Sequence, residues 1–344
     1  MKILVTGNLG YIGSVLTSTL IEKGFDVTGI DIGYFENNLV SKYAPLKNQI
    51  KLDIRNISES IVEGHDAIIH LASLSNDPLG EFNPNLTNEI NNLSTVKLAE
   101  IAKKVGVKRF VYASTQSIYG ISNTSQELDE YESIKNPVSA YAKTKWISEQ
   151  KIMKMSSDNF IVTAFRPATV FGPSPRFRCD IVYNNLLSCA YTTGKIEIYS
   201  DGTPCRPIVH IDDVCNAFIS GLIAPKELIN KIAFNVGIDG GNYTVKQIAE
   251  AAQIRIPNSK LIFTGKYGKD ERTYKVSFKR IYSVLKDFYK PLWNLESGGD
   301  QLLNYLKDIN ISEEVFRGPN TNRLKQLKYL SENNLVDNDL KYHV

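Results

Sequence analysis

The stretch Met1-Lys-Ile-Leu-Val-Thr-Gly-Asn-Leu-Gly-Tyr-Ile-Gly13 opens with a short apolar run, Ile3 to Thr6, that breaks at Gly7, and Gly10 and Gly13 follow at three-residue spacing. This pattern predicts a buried strand feeding a tight turn into a helix N-terminus. Without Cβ atoms the turn lets a pyrophosphate approach the backbone, where free N–H groups and the helix dipole favour its charge. Packing alone also puts glycine at strand–helix turns, so the pattern takes its weight from its surroundings. A second apolar run, Asp26 to Ile30, ends in Asp31, close to the roughly 20-residue offset at which an acid meets a ribose 2′-hydroxyl. The expectation is a dinucleotide site, and NAD in preference to NADP, because Asp31 would repel a 2′-phosphate.

Further along, apolar runs recur at Ala67–Leu71, Phe110–Ala113 and Ile161–Phe165, with amphipathic segments between them, notably Leu86–Lys104 and Ala140–Met155. Strands interleaved with helices predict an α/β fold with a doubly wound parallel Rossmann sheet, and the near-continuous apolar strands fit burial on both faces. After Phe171-Gly-Pro-Ser-Pro175 the texture changes to short strands broken by Pro and Gly. We read residues 1–170 as the cofactor domain and residues 171–344 as a smaller C-terminal α/β substrate-binding lobe, built partly from returning segments. Its tail reads as two helices, at about 297–309 and 320–332.

Composition narrows the class. The chain has 344 residues, of which 42% are hydrophobic, and a formal net charge of +3 from 40 basic and 37 acidic residues without a basic block. Nucleic acid is therefore not an expected partner. Cys179, Cys189, Cys205 and Cys215 show no CxxC spacing, so small buried thiols are expected, with no metal site and no disulfide. The N-terminal apolar run is too short for a signal peptide, and no run approaches the roughly 18 residues of a membrane span. The expected setting is cytoplasmic, with no membrane partner.

The residues that could do chemistry lie at the ends of the strand-like runs. In Ser139-Ala-Tyr-Ala-Lys-Thr-Lys145, Tyr141 and Lys145 stand four apart at a helix start, so both lie on one face and the ammonium could favour a phenolate. A solvated helix face would show the same pair, and Lys143 reads as a bystander. Phe110-Val-Tyr-Ala-Ser-Thr-Gln-Ser-Ile-Tyr-Gly120 delivers Ser114, Thr115 and Ser117 to a strand's C-terminal end, where ligands of open α/β sheets bind. Equally, such hydroxyls cap turns. His70 ends its strand at the same edge and reads as structural. Arg166, Arg176, Arg178, Arg206 and Arg272 supply guanidiniums suited to a phosphate, or to surface carboxylates.

In chain order these pieces resemble the extended short-chain dehydrogenase/reductase family, in its nucleotide-sugar epimerase/dehydratase branch. Thr6-Gly-Asn-Leu-Gly-Tyr-Ile-Gly13 is similar to TGxxGxxG, and Leu52-Asp-Ile-Arg55 to the adenine-side segment. His70-Leu-Ala-Ser73 resembles HLAA, with Ser73 for the last alanine. Ser114-Thr-Gln-Ser-Ile-Tyr-Gly120 resembles S-[ST]-x-x-VYG, Tyr141-x-x-x-Lys145 matches YxxxK, and Arg166-Pro-Ala-Thr-Val-Phe-Gly-Pro173 resembles RxxxVYGP. Ser200 to Asp213 looks like the second-lobe G-x-x-x-R-x-x-x-H-V-x-D segment.

The resemblance implies an NAD enzyme in which Tyr141 takes a proton from a sugar hydroxyl while hydride passes to the nicotinamide. It implies that Lys145 lowers the tyrosine pKa and binds the nicotinamide ribose, and that Thr115 shares the hydroxyl proton. Cofactor contacts would come from Gly7, Gly10, Tyr11, Ile12, Gly13, Asp31, Asp53, Ile54, Leu71 and Ala72, besides Tyr141 and Lys145. A nucleotide diphosphate would be held by Asn185, Arg206 and Arg272, with Arg176 and Arg178 as further candidates. A homodimer through segments 86–104 and 140–155 is implied as well.

One departure narrows the chemistry. The 4,6-dehydratases of the family carry Asp-Glu directly after the catalytic threonine, and the glucuronate decarboxylases keep an acid at the second place. Here Gln116 and Ser117 stand there, and neither can supply that proton transfer. The expectation is a nucleotide-sugar 4-epimerase with a transient 4-keto sugar, or alternatively a net 4-dehydrogenase or 4-ketoreductase. The Ser75-Asn-Asp-Pro-Leu-Gly80 loop and the long tail differ from galactose-type epimerases and keep that alternative open.

Overall fold

The computed structural model describes residues 1–122, 126–264 and 273–343. Its strands are β1 (Lys2–Thr6), β2 (Asp26–Asp31), β3 (Asn48–Lys51), β4 (Ala67–His70), β5 (Arg109–Ala113), β6 (Ile161–Pro167), β7 (Thr169–Phe171), β8 (Lys195–Ile198), β9 (Cys205–His210), β10 (Ile232–Val236), β11 (Asn242–Thr244) and β12 (Lys260–Phe263). Seven of them form one sheet in the order β10-β6-β5-β4-β1-β2-β3, and every pairing in it is parallel.

Why the strands read as continuous apolar runs is visible in their alternation. Ile3, Val5, Ala67, Ile69, Val111 and Phe165 enter one core, while Leu4, Ile68, Phe110, Tyr112, Val162 and Ala164 enter the other. A side-chain period of two with helices on both faces buries both sets. The principal helices are α1 (Tyr11–Glu22), α2 (Ser94–Lys104), α3 (Ala140–Met155), α4 (Val182–Thr193), α5 (Ile211–Ile223), α6 (Val245–Arg255), α7 (Leu295–Asp308) and α8 (Arg323–Glu332).

The expected helix over 86–104 is interrupted. Residues Pro84–Asn88 are helical, Glu89–Leu93 form a π-helical turn, and α2 resumes at Ser94. The buried side chain of Asn91 explains the extra residue, because it bonds both the N–H (2.8 Å) and the C=O (3.1 Å) of Leu74. Such turns concentrate at functional sites, and this one fixes the loop that follows β4.

A clean cut at residue 170 does not describe the molecule. β10 returns to the first sheet beside β6, α5 packs on α1 and β5, and Leu327 and Leu330 of α8 join the core formed by β1, β4 and β5. The smaller lobe consists of the three-stranded sheet β11-β9-β7, the pair β12-β8, and α4, α6 and α7 around a third core. A break at Phe171-Gly-Pro marks where the chain leaves the sheet and cannot report that it comes back.

Candidate active site

The strand order reverses between β1 and β4, the place where open α/β sheets form a crevice beyond their strand C-termini. A cavity of about 1020 Å³ opens there and runs between the two lobes. Gly7, Gly10, Tyr11, Ile12, Gly13, Asp31, Asp53, Ile54, Leu71, Ala72, Thr115, Tyr141, Lys145, Asn185 and Arg206 all line it. Arg272 lies outside the described residues.

At one end the glycine turn is built by close approach. Gly7 has φ +76°, and a Cβ on it would stand 2.6 Å from the Ala72 nitrogen; at Gly13 a Cβ would stand 2.2 Å from the Gly7 carbonyl oxygen. Gly10 is the N-cap of α1 and offers no side-chain cap, so the first-turn N–H groups are left for an anion in the cleft. Asp31 is pinned beside them, its carboxylate accepting from the N–H of Leu9 (3.0 Å) and Gly33 (2.8 Å). Burial raises its pKa, and those two N–H groups oppose the shift. Asp53 accepts from Arg55 Nε at 2.8 Å and forms an ion pair with its Nη2. An unpaired helix N-terminus beside a carboxylate, in a cleft of this size, fits a dinucleotide.

The Tyr11 hydroxyl is used elsewhere. It donates to the Gly172 carbonyl (2.8 Å) and accepts from Asn184 (3.1 Å), joining the lobes.

In the middle of the cleft, Ser139 caps α3 by accepting from the Ala142 N–H (3.1 Å), which sets Tyr141 in the first turn. Gly80 lies against it: a Cβ there would be 2.8 Å from the Tyr141 Cβ. Tyr141 is half-buried at the cavity wall. Burial raises its pKa, a side-chain hydrogen bond with Thr115 and the Arg178 guanidinium lower it, and Tyr274 raises it. Thr115 also accepts from the Ser117 N–H at 3.1 Å. Lys145, 2% exposed, donates from Nζ to the Ala113 carbonyl (2.8 Å) and stands 4.9 Å from the Tyr112 ring centre. Burial pulls its pKa down to about 7. Arg178, which the YxxxK spacing does not point to, is thus one cation acting on Tyr141.

The neighbouring hydroxyls and amide divide in role. Ser114 donates to Glu149 (2.5 Å), which is paired with Arg166 (2.5 Å). Arg166 is therefore committed to a buried carboxylate and is not a phosphate ligand. Gln116 also lines the cavity, and its amide nitrogen donates to the carbonyls of Arg166 (3.0 Å) and Val236 (3.2 Å). His70 is buried between Thr6 (2.6 Å) and Thr95 (2.8 Å), and burial pulls its pKa down to about 3, so it is a neutral structural group.

At the other end, Asn185 donates to the Cys179 carbonyl (2.8 Å) and Arg206 to the Cys205 carbonyl (3.0 Å). Arg176 is not brought to them. Its guanidinium donates to the carbonyls of Phe35 and Glu36 (3.2 Å each) and stacks on Tyr43. Its neighbour Arg178 lines the cleft, paired with Asp180 at 2.8 Å.

Sequence reasoning passed over Asp180, Tyr274 and Asn322-Arg323-Leu324, all of which line the cavity. The last three come from a tail segment with no motif to mark it. Among the described residues no group of His, Cys, Asp and Glu is placed to hold a metal ion, and no helix is long and apolar enough to cross a membrane.

A model of the NAD dependent epimerase/dehydratase family matches residues 3–237. A UDP-glucuronate 4-epimerase of Thermodesulfobacterium geofontis is 28% identical over 333 residues, covering 92% of this chain and 94% of that protein. UDP-glucuronic acid decarboxylase 1 of Xenopus tropicalis is 24% identical, over 89% of this chain and 72% of that protein. Among solved structures, UDP-glucuronic acid 4-epimerase from Bacillus cereus, in complex with UDP-glucuronic acid and NAD, superposes with a TM-score of 0.76 at 23% identity. It covers 90% of this chain and 100% of that one.

Proposed function

The chain belongs to the NAD-dependent epimerase/dehydratase family, with NAD as its cofactor, and from that premise we propose that it is a nucleotide-sugar 4-epimerase. The observation that carries this reading is that Tyr141 and Thr115 line one cleft in which position 116 is a glutamine whose amide donates to the strand carbonyls behind it. One phenol and one hydroxyl can move one proton at a carbinol. Dehydration or decarboxylation asks for a further acid or base at positions 116 and 117, and none stands there. The carboxylates lining the same stretch are engaged: Asp180 pairs with Arg178, and Asp77 accepts from the Ser139 hydroxyl. Similarity to both a 4-epimerase and a decarboxylase leaves the choice to this local chemistry.

In this reading Tyr141 accepts the proton of the sugar 4-hydroxyl and later returns it, and Thr115 holds that hydroxyl in line. NAD, when bound, supplies the acceptor and donor of hydride. Lys145, fixed by the Ala113 carbonyl, is in place to hold a ribose hydroxyl. Asn185 and Arg206 offer an amide and a guanidinium to the nucleotide diphosphate, with Arg272 as a third candidate.

Incubation with UDP-glucose, UDP-galactose and the UDP-uronic acids, followed by NMR of the sugar, is expected to show interconversion at C4 without accumulation of NADH. Stoichiometric NADH formation, or consumption of NADH with a 4-keto sugar, would replace this reading by a net oxidoreductase.

We further infer a homodimer through the outer faces of the 84–104 helical stretch and α3. Leu93 and Ile147 stay exposed there, among Lys97, Glu100, Lys143 and Gln150. Light scattering is expected to give twice the 38.6 kDa chain mass, and a monomer would reject it.

A further inference from the structure

The tail of the chain folds back onto the dinucleotide end of the cleft. Tyr342 donates to the Gly33 carbonyl (3.1 Å), Gln326 to that of Tyr34 (3.2 Å), and Asn38 to that of Pro319 (2.9 Å). The Tyr34 hydroxyl donates to the Leu340 carbonyl. Each bond ties residues 319–342 to the loop that follows β2, directly after Asp31.

From this tail Arg323 reaches the cavity wall. Its side chain is among the largest fully buried in the protein, and the residue is 2% exposed. Nη2 donates to the Arg176 carbonyl at 2.7 Å, and the guanidinium lies 4.5 Å from the Phe35 ring centre. Nη1 is buried and has no hydrogen-bond partner among the described residues. A buried guanidinium donor without an acceptor is costly.

No carboxylate closes on it. Asp180 accepts the Arg323 backbone N–H (3.3 Å) while its oxygens hold Arg178, and Asp31 is occupied by the N–H groups of Leu9 and Gly33. Burial, Arg178 and Arg176 oppose the charge while Asp180 and Asp31 favour it from a distance, and the pKa is pulled down to about 9. A buried cation facing a cleft, short of an acceptor, is a site for an anion.

We propose that Arg323, carried into the cleft by the tail helix α8, is a ligand to the diphosphate of the bound dinucleotide. The phosphates thereby have a second positive partner besides the N-terminus of α1. Its stacking on Phe35, four residues after Asp31, assigns it to the cofactor; Asn185 and Arg206 stand at the opposite lobe. The tail is then part of the NAD site and not only a brace for the loop beneath it. The inference does not depend on which sugar is bound or which reaction follows.

Calorimetric titration of the full chain with ADP-ribose, adenosine and UDP tests this, in the parent protein and in Arg323→Gln and Arg323→Lys. Loss of a charged hydrogen bond predicts an ADP-ribose dissociation constant raised about tenfold to hundredfold in Arg323→Gln, and less in Arg323→Lys. Adenosine, which lacks the diphosphate, and UDP are expected to bind as before. Should the glutamine variant not fold, the lysine variant keeps the charge and carries the same comparison. Unchanged ADP-ribose affinity would overturn the proposal. So would equal weakening of all three ligands, which marks a purely structural residue, or weakening of UDP alone, which moves Arg323 to the substrate.

Discussion

Tyr141→Phe is expected to lower kcat/KM by about 10³-fold, within the range that proton transfer by a placed side chain contributes, while NAD affinity changes little. The substitution removes one oxygen and keeps the ring, as well as the Cβ and backbone that pack against Gly80. The phenol is costly to ionise where it stands, because burial raises its pKa, and the Thr115 hydrogen bond and the Arg178 guanidinium act against that. Phenylalanine needs none of this support, so the variant should fold at least as well as its parent. Initial rates with the preferred nucleotide sugar, alongside calorimetric NAD titration, check both halves. A variant retaining a tenth of the activity or more would remove Tyr141 from the proton step.

Glu149→Ala carries the largest expected cost in stability, about 3–5 kcal/mol. Glu149 and Arg166 are each only 3% exposed at the side chain, with their ion pair at 2.5 Å. Ser114 donates to the same carboxylate. Taking the acid away strands a buried guanidinium that is otherwise bonded to the Tyr119 hydroxyl (3.1 Å) and the Glu130 carbonyl (3.3 Å). Against a usual total of about 5–15 kcal/mol, such a loss leaves a marginal protein. Urea unfolding measures it through the midpoint at constant slope. A change below about 1 kcal/mol would mean that water or Tyr119 compensates Arg166.

Much of this architecture could be read from local pattern. The apolar runs at 3–6, 26–30, 67–71, 110–113 and 161–165 became strands of the central sheet, and the 140–155 amphipathic segment became α3 without adjustment. These succeed because a strand buried on both faces and a capped amphipathic helix leave signals within a few residues. Signals that depend on distant partners were weaker. Neither the return of β10 to β6 nor the extra residue that Asn91 forces into the 84–104 helix is written in its own neighbourhood. The arginines show the same limit at the site. Arg166, Arg176 and Arg178 look alike as residues, yet one neutralises Glu149, one braces the Phe35 loop and one faces the cleft, and only the three-dimensional surroundings separate them. Arg323 stands in a lysine-rich helix with no motif, so nothing local distinguishes it from a solvated surface residue.

The late position of β10 matters for synthesis of the protein. A nascent chain that has reached Pro167 already holds six of the seven parallel strands, with β6 at an open edge. The partner ring that stacks on Phe165, Phe234 at 5.6 Å, is separated from it by the whole first part of the second lobe. At ordinary translation speeds the ribosome needs on the order of several seconds to deliver it, and until then an apolar edge invites pairing with another strand. Chaperone capture of ribosome-bound chains between these two points is the cellular signature that such an ordering leaves.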